Sequence, residues 1–287
     1  MTTQPAWDYI AKLVCIGDSG CGKSSLTIRL CEGRFVTHHD VTIGVEFGSR
    51  IVPVGPPYST TTAETSSPSS PLPSSPSSPT TSNPPNGKQP PPSGLPPPRT
   101  IPTPQSEALA AASQKHMKLS LWDTAGQETY KSVTRSYFRG ASGALLVFDL
   151  TRKSTFTHVT DWLNDLRQIA EPDIVVVLVG NKADLASPEA EGGQNKREVS
   201  RQEAEEWARR NGVLEYVETS AKSGEGVEKA FMRVAEKIFG NIQQGKYDLN
   251  DRRSGVKGPN FGGPPGGSGG KPVRLTNSAN KQSGGCC

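Results

Sequence analysis

A glycine-rich segment near the start of the chain has the residue types and spacing of a loop that binds phosphate groups. Residues 17–24 read Gly-Asp-Ser-Gly-Cys-Gly-Lys-Ser, which matches the pattern GxxxxGK[ST]. Its glycines let backbone N–H groups point inward, and Lys23 can neutralise β- and γ-phosphates while Ser24 ligates Mg²⁺. The residues predicted to contact a nucleotide here are Asp18, Ser19, Gly20, Cys21, Gly22, Lys23, Ser24 and Ser25. The motif alone predicts a nucleotide and leaves the base open.

A second polar segment, Asn181-Lys182-Ala183-Asp184, follows an apolar run at 174–179 and predicts which base is bound. The Asp184 carboxylate can accept hydrogen bonds from N1–H and the 2-amino group of guanine, and adenine has neither donor at these positions. Each such charge-assisted bond contributes about 1.5–3 kcal/mol, so adenine nucleotides should bind far more weakly. The turn at 219–222 is expected beside the same pocket. The residues predicted around the base are Asn181, Lys182, Asp184, Ser220, Ala221 and Lys222.

Two further segments carry polar residues that can respond to a third phosphate. Asp123 ends an apolar run and can hold a water of the metal, and the Gly126 N–H can meet a γ-phosphate. Gln127 is predicted to orient the attacking water. Thr42 is the predicted second hydroxyl of a metal site that also contains Ser24 and Asp123. Because these contacts exist only in the triphosphate state, hydrolysis would release both segments, which is the behaviour of a switch.

The apolar pattern of the chain predicts strands that alternate with helices. The predicted strands are residues 10–16, 41–52, 117–122, 144–148, 174–179 and 213–218, and the predicted helices are 23–30, 154–170, 200–210 and 227–239. Strands 41–52 and 117–122 are expected to be hairpin partners. This alternation implies a mostly parallel sheet covered on both faces, with ligands at the carboxyl ends of its strands.

The composition divides the 287-residue chain into a globular part and segments that cannot form a core. In residues 53–106, which contain 18 of the 25 prolines, 38 of the 54 positions are Pro, Ser or Thr. We expect residues 53–115 to be a disordered insert in the hairpin. The insert is a neutral expansion, an intron retained by mis-splicing, or a site for SH3-type partners or proline-directed phosphorylation. The Gly-rich residues 241–287 are expected to form a flexible tail, and residues 1–8 a short extension.

Charge and hydropathy exclude several classes of protein. The net charge is +4, and the tail, with seven basic and two acidic residues, carries +5 by itself. This basic tail favours either solubility or attraction to an anionic membrane surface. No apolar run approaches the ~20 residues of a membrane-spanning helix, and no feature predicts nucleic-acid binding. The five cysteines do not form a disulfide framework, which indicates a reducing compartment.

These segments, in this order and at these spacings, resemble the Ras-like small GTPases over residues 7–52 and 116–240. The features that look like Rab proteins are 43–47, 118–128, 137–141, 146–151 and the terminal Cys286-Cys287. Segments 44–50 and 132–144 are similar to the second, fourth and fourteenth numbered Rab subfamilies, of which we favour the fourth. The resemblance implies an α/β fold of the P-loop NTPase class, a small G domain of residues 9–52 and 116–240. Its sheet would be six-stranded and mostly parallel with five flanking helices, and a monomer would bind GTP or GDP and Mg²⁺.

By position, the resemblance assigns roles to several aromatic and apolar residues. Phe35 would pack edge-on against guanine. Ile43, Phe47, Trp122 and Tyr137 would form the surface patch that effectors read. Ordinary core packing is the alternative role for the aromatic residues.

The resemblance also bears on catalysis and on partners. Ser19 stands where Ras has glycine, which does not forbid hydrolysis, and Cys21 replaces the commoner valine without an expected redox role. Hydrolysis should be slow unaided because the phosphate loop offers no arginine. An activating protein would supply one in trans, which adds about 10³- to 10⁵-fold in rate. An exchange factor, an escort protein, a dissociation inhibitor and effectors of vesicle traffic are the other implied partners.

The end of the chain predicts a lipid anchor. Cys286 and Cys287 are expected to carry two geranylgeranyl groups, because a single prenyl chain binds membranes only marginally. The expected location is the cytoplasmic face of endomembranes, early endosome or Golgi, with a cytosolic pool.

Two other functions compete with that of a hydrolysing switch. A binding-only scaffold would hold GTP without turnover, and a P-loop ATPase or kinase would act on another nucleotide. The presence of Thr42, Asp123 and Gln127 argues against the scaffold, and the segment 181–184 argues against the ATPase or kinase.

Overall fold

The computed structural model describes residues 6–37, 40–58, 114–187, 195–251 and 253–259. The strands in these residues are β1 (Tyr9–Ile16), β2 (Val45–Val54), β3 (Lys115–Thr124), β4 (Gly143–Asp149), β5 (Val175–Asn181), β6 (Glu215–Glu218) and β7 (Val256–Lys257). The α-helices are α1 (Lys23–Glu32), α2 (Lys131–Ser136), α3 (Lys153–Thr157), α4 (Val159–Arg167), α5 (Arg201–Arg210) and α6 (Val227–Gln243), with 3₁₀ turns at Glu128–Tyr130 and Ala183–Leu185. Strands and helices alternate, as the apolar pattern predicts.

Within the described residues, six strands form a central sheet in the order β2-β3-β1-β4-β5-β6, and β7 joins it beside β1 as a seventh strand, one more than predicted. β2 runs antiparallel to β3 at one edge, and the neighbours from β3 through β6 are parallel. This confirms the predicted α/β fold, a mostly parallel sheet with a hairpin at its edge. Because parallel strands end at the same side of a sheet, the carboxyl ends of β1, β3, β4, β5 and β6 meet there.

The residues of β1 show how the sheet is covered on both faces. Leu13 and Cys15 lie in a core with α1 and α6, while Val14 and Ile16 lie in a second core with α4 and α5. All four side chains are fully buried. Successive side chains of a strand point to opposite faces, so an unbroken apolar run requires two covering layers. Burial of each of the three aliphatic side chains contributes about 1.5–3 kcal/mol, so β1 helps to hold both layers to the sheet.

The helix predicted at 154–170 is present with an interruption. His158 separates α3 from α4, and its N–H still donates to the carbonyl of Ser154 (3.3 Å). Trp162 and Leu166 are buried on the face that their spacing predicts. With α3 and α4 counted as one interrupted helix, the described residues contain the five flanking helices that were expected. None of the helices in this part of the chain is long and apolar enough to cross a bilayer.

The hairpin of β2 and β3 remains paired where the insert interrupts it. Val54 pairs with Lys115 in the antiparallel register. The side chain of Gln114 donates to the Val54 carbonyl (2.9 Å) and accepts from the N–H of Tyr58 (3.1 Å). These bonds close the two ends of the insert onto each other.

The predicted boundaries of the insert need correction. Residues 53–58, 114 and 115 belong to the hairpin and its turn, because the strands extend two residues beyond the apolar pattern and Gln114 fixes the turn. The remaining residues, 59–113, lie outside the described part of the chain. At ~3.3 Å per residue, the 10-residue strand β3 places this end of the hairpin about 30 Å from the carboxyl edge of the sheet.

The chain after the last predicted helix stays on the domain. α6 continues to Gln243, and β7 pairs with β1 at the register Ala11↔Val256, where Val256 is fully buried. β4 pairs with β1 only from Leu13 onward, so the preceding backbone groups of β1 are open to β7. The flexible tail predicted from residue 241 is therefore wrong for its first part, which packs on the sheet. Residues 260–287 lie outside the described chain.

Candidate functional site

A cavity of about 550 Å³ opens at the carboxyl edge of the sheet, between the loops that follow β1, β3, β5 and β6 and the segment that precedes β2. The residues with predicted roles that line it are Ser19, Gly20, Gly22, Lys23, Ser24, Ser25, Phe35, Thr42, Gly126, Asn181, Lys182, Asp184, Ala221 and Lys222. Five segments that are distant in sequence thus meet at one pocket, at the sheet edge where parallel α/β folds bind ligands.

The loop after β1 directs a cation into this pocket. Lys23 Nζ donates to the carbonyls of Gly17 (2.9 Å) and Asp18 (3.0 Å), and Lys23 is 6% exposed. Gly20 and Gly22 both have positive φ, 76° and 87°, a conformation that side chains rarely adopt. A curled backbone with an inward ammonium group at the start of α1 is suited to an anion with several charged oxygens.

Two side chains of this loop point away from the cavity. The Asp18 carboxylate accepts a hydrogen bond from Trp162 Nε1 (2.8 Å) and pairs with His158 Nδ1 (2.7 Å). Cys21 is fully buried, and burial raises the pKa of its thiol. Because α4 and the core engage these two side chains, any contact of Asp18 and Cys21 with the nucleotide would come from their backbone groups, and the predicted contacts stay predictions. Their backbone groups remain part of the loop.

Three oxygen atoms converge beside the phosphate loop. Ser24 Oγ lies 2.5 Å from Asp123 Oδ2 and 2.9 Å from Thr42 Oγ1, and Thr42 Oγ1 lies 3.4 Å from the same Oδ2. Asp123 is 1% exposed, and its Oδ1 has no hydrogen-bond partner within the described chain. Burial raises the pKa of this carboxyl. Unpartnered buried carboxylate oxygen is unfavourable, and hydroxyl and carboxylate oxygens are ligands that Mg²⁺ prefers, so the predicted metal residues fit that ion.

Asn181 joins three loops on the other side of the cavity. Its Nδ2 donates to the Cys21 carbonyl (2.8 Å), and its Oδ1 accepts from the Thr219 hydroxyl (3.1 Å) and the Ala221 N–H (3.2 Å). A Cβ on Gly22 would lie 2.4 Å from Asn181 Nδ2, so this approach requires glycine. Asn181 therefore fixes the phosphate loop relative to the two segments predicted to hold the base.

The side chains that can read a base follow Asn181. Asp184 lines the cavity, and its Oδ1 accepts a hydrogen bond from Ser220 Oγ (2.7 Å). Ser220 is fully buried and does not line the cavity, so its hydroxyl orients Asp184, while its predicted contact with the nucleotide stays a prediction. Lys182 has the left-handed φ of 69°. Phe35 lines the same cavity, where an aromatic ring can pack against a planar base.

Gly126 and Gln127 are adjacent in sequence but differ in their relation to the pocket. Gly126 lines the cavity, and its carbonyl accepts from the Ser19 N–H (3.0 Å). A Cβ on Gly126 would lie 2.5 Å from Lys23 Nζ. Gln127 does not line the cavity, and its carbonyl accepts from the Tyr130 N–H (3.1 Å) at the start of the 3₁₀ turn. The predicted catalytic residue therefore lies next to the pocket rather than inside it.

The residues predicted as an effector patch form an aromatic cluster at the surface. Phe47 meets Trp122 edge-on with ring centroids 4.5 Å apart, and Trp122 lies 5.7 Å from Tyr137. Phe47 is 66% exposed and Ile43 is 77% exposed, so core packing does not explain their side chains. Lys12 Nζ lies 3.8 Å above the Trp122 ring, and burial lowers the pKa of Lys12 to about 8. An aromatic surface with an exposed edge results.

Some residues that line the cavity belong to no motif that the sequence analysis could identify. Val36, Thr37, Asp40, Val41, Thr124 and Leu185 line the cavity without belonging to a predicted set. The first four lie between Phe35 and Thr42 in the sequence, and this location is the only feature of the sequence that places them near the pocket. Asp149 does not line the cavity, but it pairs with Lys182 (2.7 Å). An acidic residue at the carboxyl end of an apolar strand was a signal that could have identified it.

The comparison with known families agrees with this geometry. A family model described as the Ras family matches residues 12–61 and 98–240, which is more than half of the 287-residue chain. The match covers the phosphate loop, the three metal-site residues, the aromatic cluster and the base segments. It supports the Ras-like resemblance drawn from the sequence.

Proposed function

Because the chain belongs to the Ras family of small GTPases, we propose that it is a Rab-type switch that recruits effectors in vesicle traffic. Family membership makes it a GTP-binding molecular switch that hydrolyses GTP to GDP and phosphate. The proposal adds the Rab subfamily, with the fourth numbered subfamily favoured, and a lipid-anchored position on endomembranes. The observation that carries it is the surface aromatic cluster of Phe47, Trp122 and Tyr137, in which Phe47 is exposed, beside the two segments predicted to sense the third phosphate.

The residues of the pocket have separate tasks in binding. Asp184 selects guanine by accepting from N1–H and the 2-amino group, and Ser220 holds this carboxylate in place. Lys23 turns its ammonium group from the loop carbonyls to the β- and γ-phosphates. Ser24, Thr42 and Asp123 would hold Mg²⁺, which neutralises phosphate charge when bound.

Hydrolysis requires a water aligned with the γ-phosphorus. Gln127 lies beside the pocket. It can orient that water once the segment after Gly126 closes over the cavity and carries Gln127 inward. An arginine from an activating protein would balance charge on the leaving oxygen, because the phosphate loop contains none. The exchange factor would act in the opposite direction and open the pocket for release of GDP.

The same segments connect the nucleotide to the surface. Thr42 precedes the exposed Ile43, and Asp123 follows Trp122 of the aromatic cluster. A change in the anchoring of these segments would therefore change the position of Phe47 and Trp122. Effectors that recognise the cluster in one arrangement would bind the GTP form and leave the GDP form.

The membrane part of the proposal rests on the last two residues, which lie outside the described chain. Cys286 and Cys287 would each receive a geranylgeranyl group with the help of an escort protein, and a dissociation inhibitor would keep a cytosolic pool. Two chains give stable attachment, whereas one gives only marginal binding.

We expect a Cys286→Ser, Cys287→Ser variant to become diffuse in cells, while the full-length protein marks early endosome or Golgi membranes. Imaging of tagged proteins beside organelle markers measures this. Cys31→Ser is the matched control, because it removes a cysteine without touching the anchor and should keep the membrane signal. A diffuse pattern for the unaltered protein as well would refute the membrane assignment.

A further inference from the structure

A buried carboxylate at the end of β4 lies between the two halves of the nucleotide pocket without lining it. Asp149 is 1% exposed. Its Oδ1 accepts from the N–H (2.9 Å) and hydroxyl (2.7 Å) of Thr151. Its Oδ2 accepts from Lys182 Nζ (2.7 Å) and Arg152 Nε (3.2 Å). Both oxygens are therefore engaged, and one of them is shared by two cations.

These two cations belong to opposite halves of the pocket. Lys182 is part of the base segment and lines the cavity. Arg152 Nη2 donates a hydrogen bond to the carbonyl of Ser19 (3.0 Å) in the phosphate loop. A Cβ on Gly20 would lie 3.4 Å from the same guanidinium group, which packs against the outer side of that loop. A single oxygen atom thus links the phosphate loop to the base segment.

We propose that Asp149 is a positioning residue that couples recognition of the base to recognition of the phosphates. This inference rests on guanine-nucleotide binding by the pocket. If Asp149 lost its charge, Lys182 and Arg152 would both lose their anchor, and the phosphate loop and the base segment would be joined less firmly, through Asn181 without this second link. The nucleotide would then bind more weakly. The pocket would also discriminate less well between guanine and other bases, and between nucleotides with different numbers of phosphates.

The surrounding electrostatics favour an ionised Asp149. Burial raises the pKa of this carboxyl, but hydrogen bonds from Lys182 and Thr151 outweigh that effect and hold the pKa below its ordinary value. A buried carboxylate in a network of this kind is sensitive to the loss of any partner. The strand itself depends less on the side chain, because the backbone N–H of Asp149 has its own acceptor in the hydroxyl of Thr155 (3.0 Å).

Asp149→Asn in the full-length protein tests the proposal, with dissociation constants measured by displacement of a fluorescent GDP. The dissociation constant of IDP divided by that of GDP measures recognition of the base, because inosine lacks the 2-amino group. The dissociation constant of GMP divided by that of GDP measures recognition of the phosphates. We expect GDP to bind about 10- to 100-fold more weakly and both ratios to fall by about 5-fold. Unaltered protein that fails to bind GDP would refute the proposed function instead.

Arg152→Gln is the matched control, because it removes the bond to the phosphate loop and leaves Lys182 on Asp149. Only the phosphate ratio should fall. Thr151→Val, which removes one donor to Oδ1, is a milder variant should Asp149→Asn fail to fold, and it should lower both ratios by about 2-fold. If Asp149→Asn and Thr151→Val lowered thermal stability or overall affinity with both ratios unchanged, the role would be structural and the coupling would be refuted.

Discussion

Asp184→Asn is expected to weaken GDP binding by about 10²- to 10³-fold and to strengthen binding of xanthosine diphosphate. The asparagine amide oxygen can still accept from N1–H of guanine, but its NH₂ group then faces the 2-amino group, and two donors repel. Xanthine has an oxygen at that position, which accepts from the same NH₂ group. Displacement of a fluorescent GDP by each nucleotide measures both effects.

Ser220→Ala is the matched control for this prediction. It removes the hydrogen bond to Asp184 Oδ1 (2.7 Å) and leaves the carboxylate in place. We expect a loss of GDP affinity of about 5-fold and no gain for xanthosine diphosphate. If Asp184→Asn weakened both nucleotides equally, the segment would have lost its structure, and direct readout of the 2-position would be excluded.

Gln127→Leu is expected to lower the rate of GTP hydrolysis by about 10²-fold and to change GTP affinity by less than about 3-fold. Leucine is one bond shorter than glutamine and has no amide to align the attacking water. The residue does not line the cavity, so its loss leaves the binding contacts intact. Phosphate release in a single turnover, with and without an activating protein, measures the rate.

A control variant of a surface residue near Gln127 in sequence distinguishes a catalytic role of Gln127 from a general disturbance of the local structure. Val133 lies in α2 and is 49% exposed, and Val133→Ala should keep normal hydrolysis. If the unaltered protein and Gln127→Leu were equally inert even with an activating protein, hydrolysis would be excluded. The binding-only scaffold would then be the better account.

Local patterns sufficed to predict most of the fold. The helix predicted from residue 200 begins there, because Ser200 caps α5 by accepting a hydrogen bond of 3.2 Å from the Glu203 N–H. The apolar run of β1 predicted a strand buried on both faces, and both cores are observed. These features depend on neighbours in sequence, which is why the sequence alone specifies them. The pocket followed as well, because its residues belong to motifs at the ends of strands.

Contacts between distant segments could not be predicted in the same way. Trp162 draws Asp18 away from the pocket across 144 residues of sequence, and Arg152 reaches Ser19 across 133. The pairing of β7 with β1 depends on where β4 begins to pair, and the composition of a Gly-rich tail does not show this. The position of Gln127 depends on the 3₁₀ turn that starts at its carbonyl. Each of these features is set by packing of the folded chain.

The central claim is that two segments, residues 40–47 and 123–137, are held by the third phosphate of GTP and released in the GDP form. Hydrogen–deuterium exchange of the full-length protein with GDP and with a non-hydrolysable GTP analogue tests it most directly. We predict slower exchange in both segments with the GTP analogue and no difference in β5 and α5. Equal exchange in the two complexes, or the same protection from an adenosine triphosphate analogue, would contradict the account.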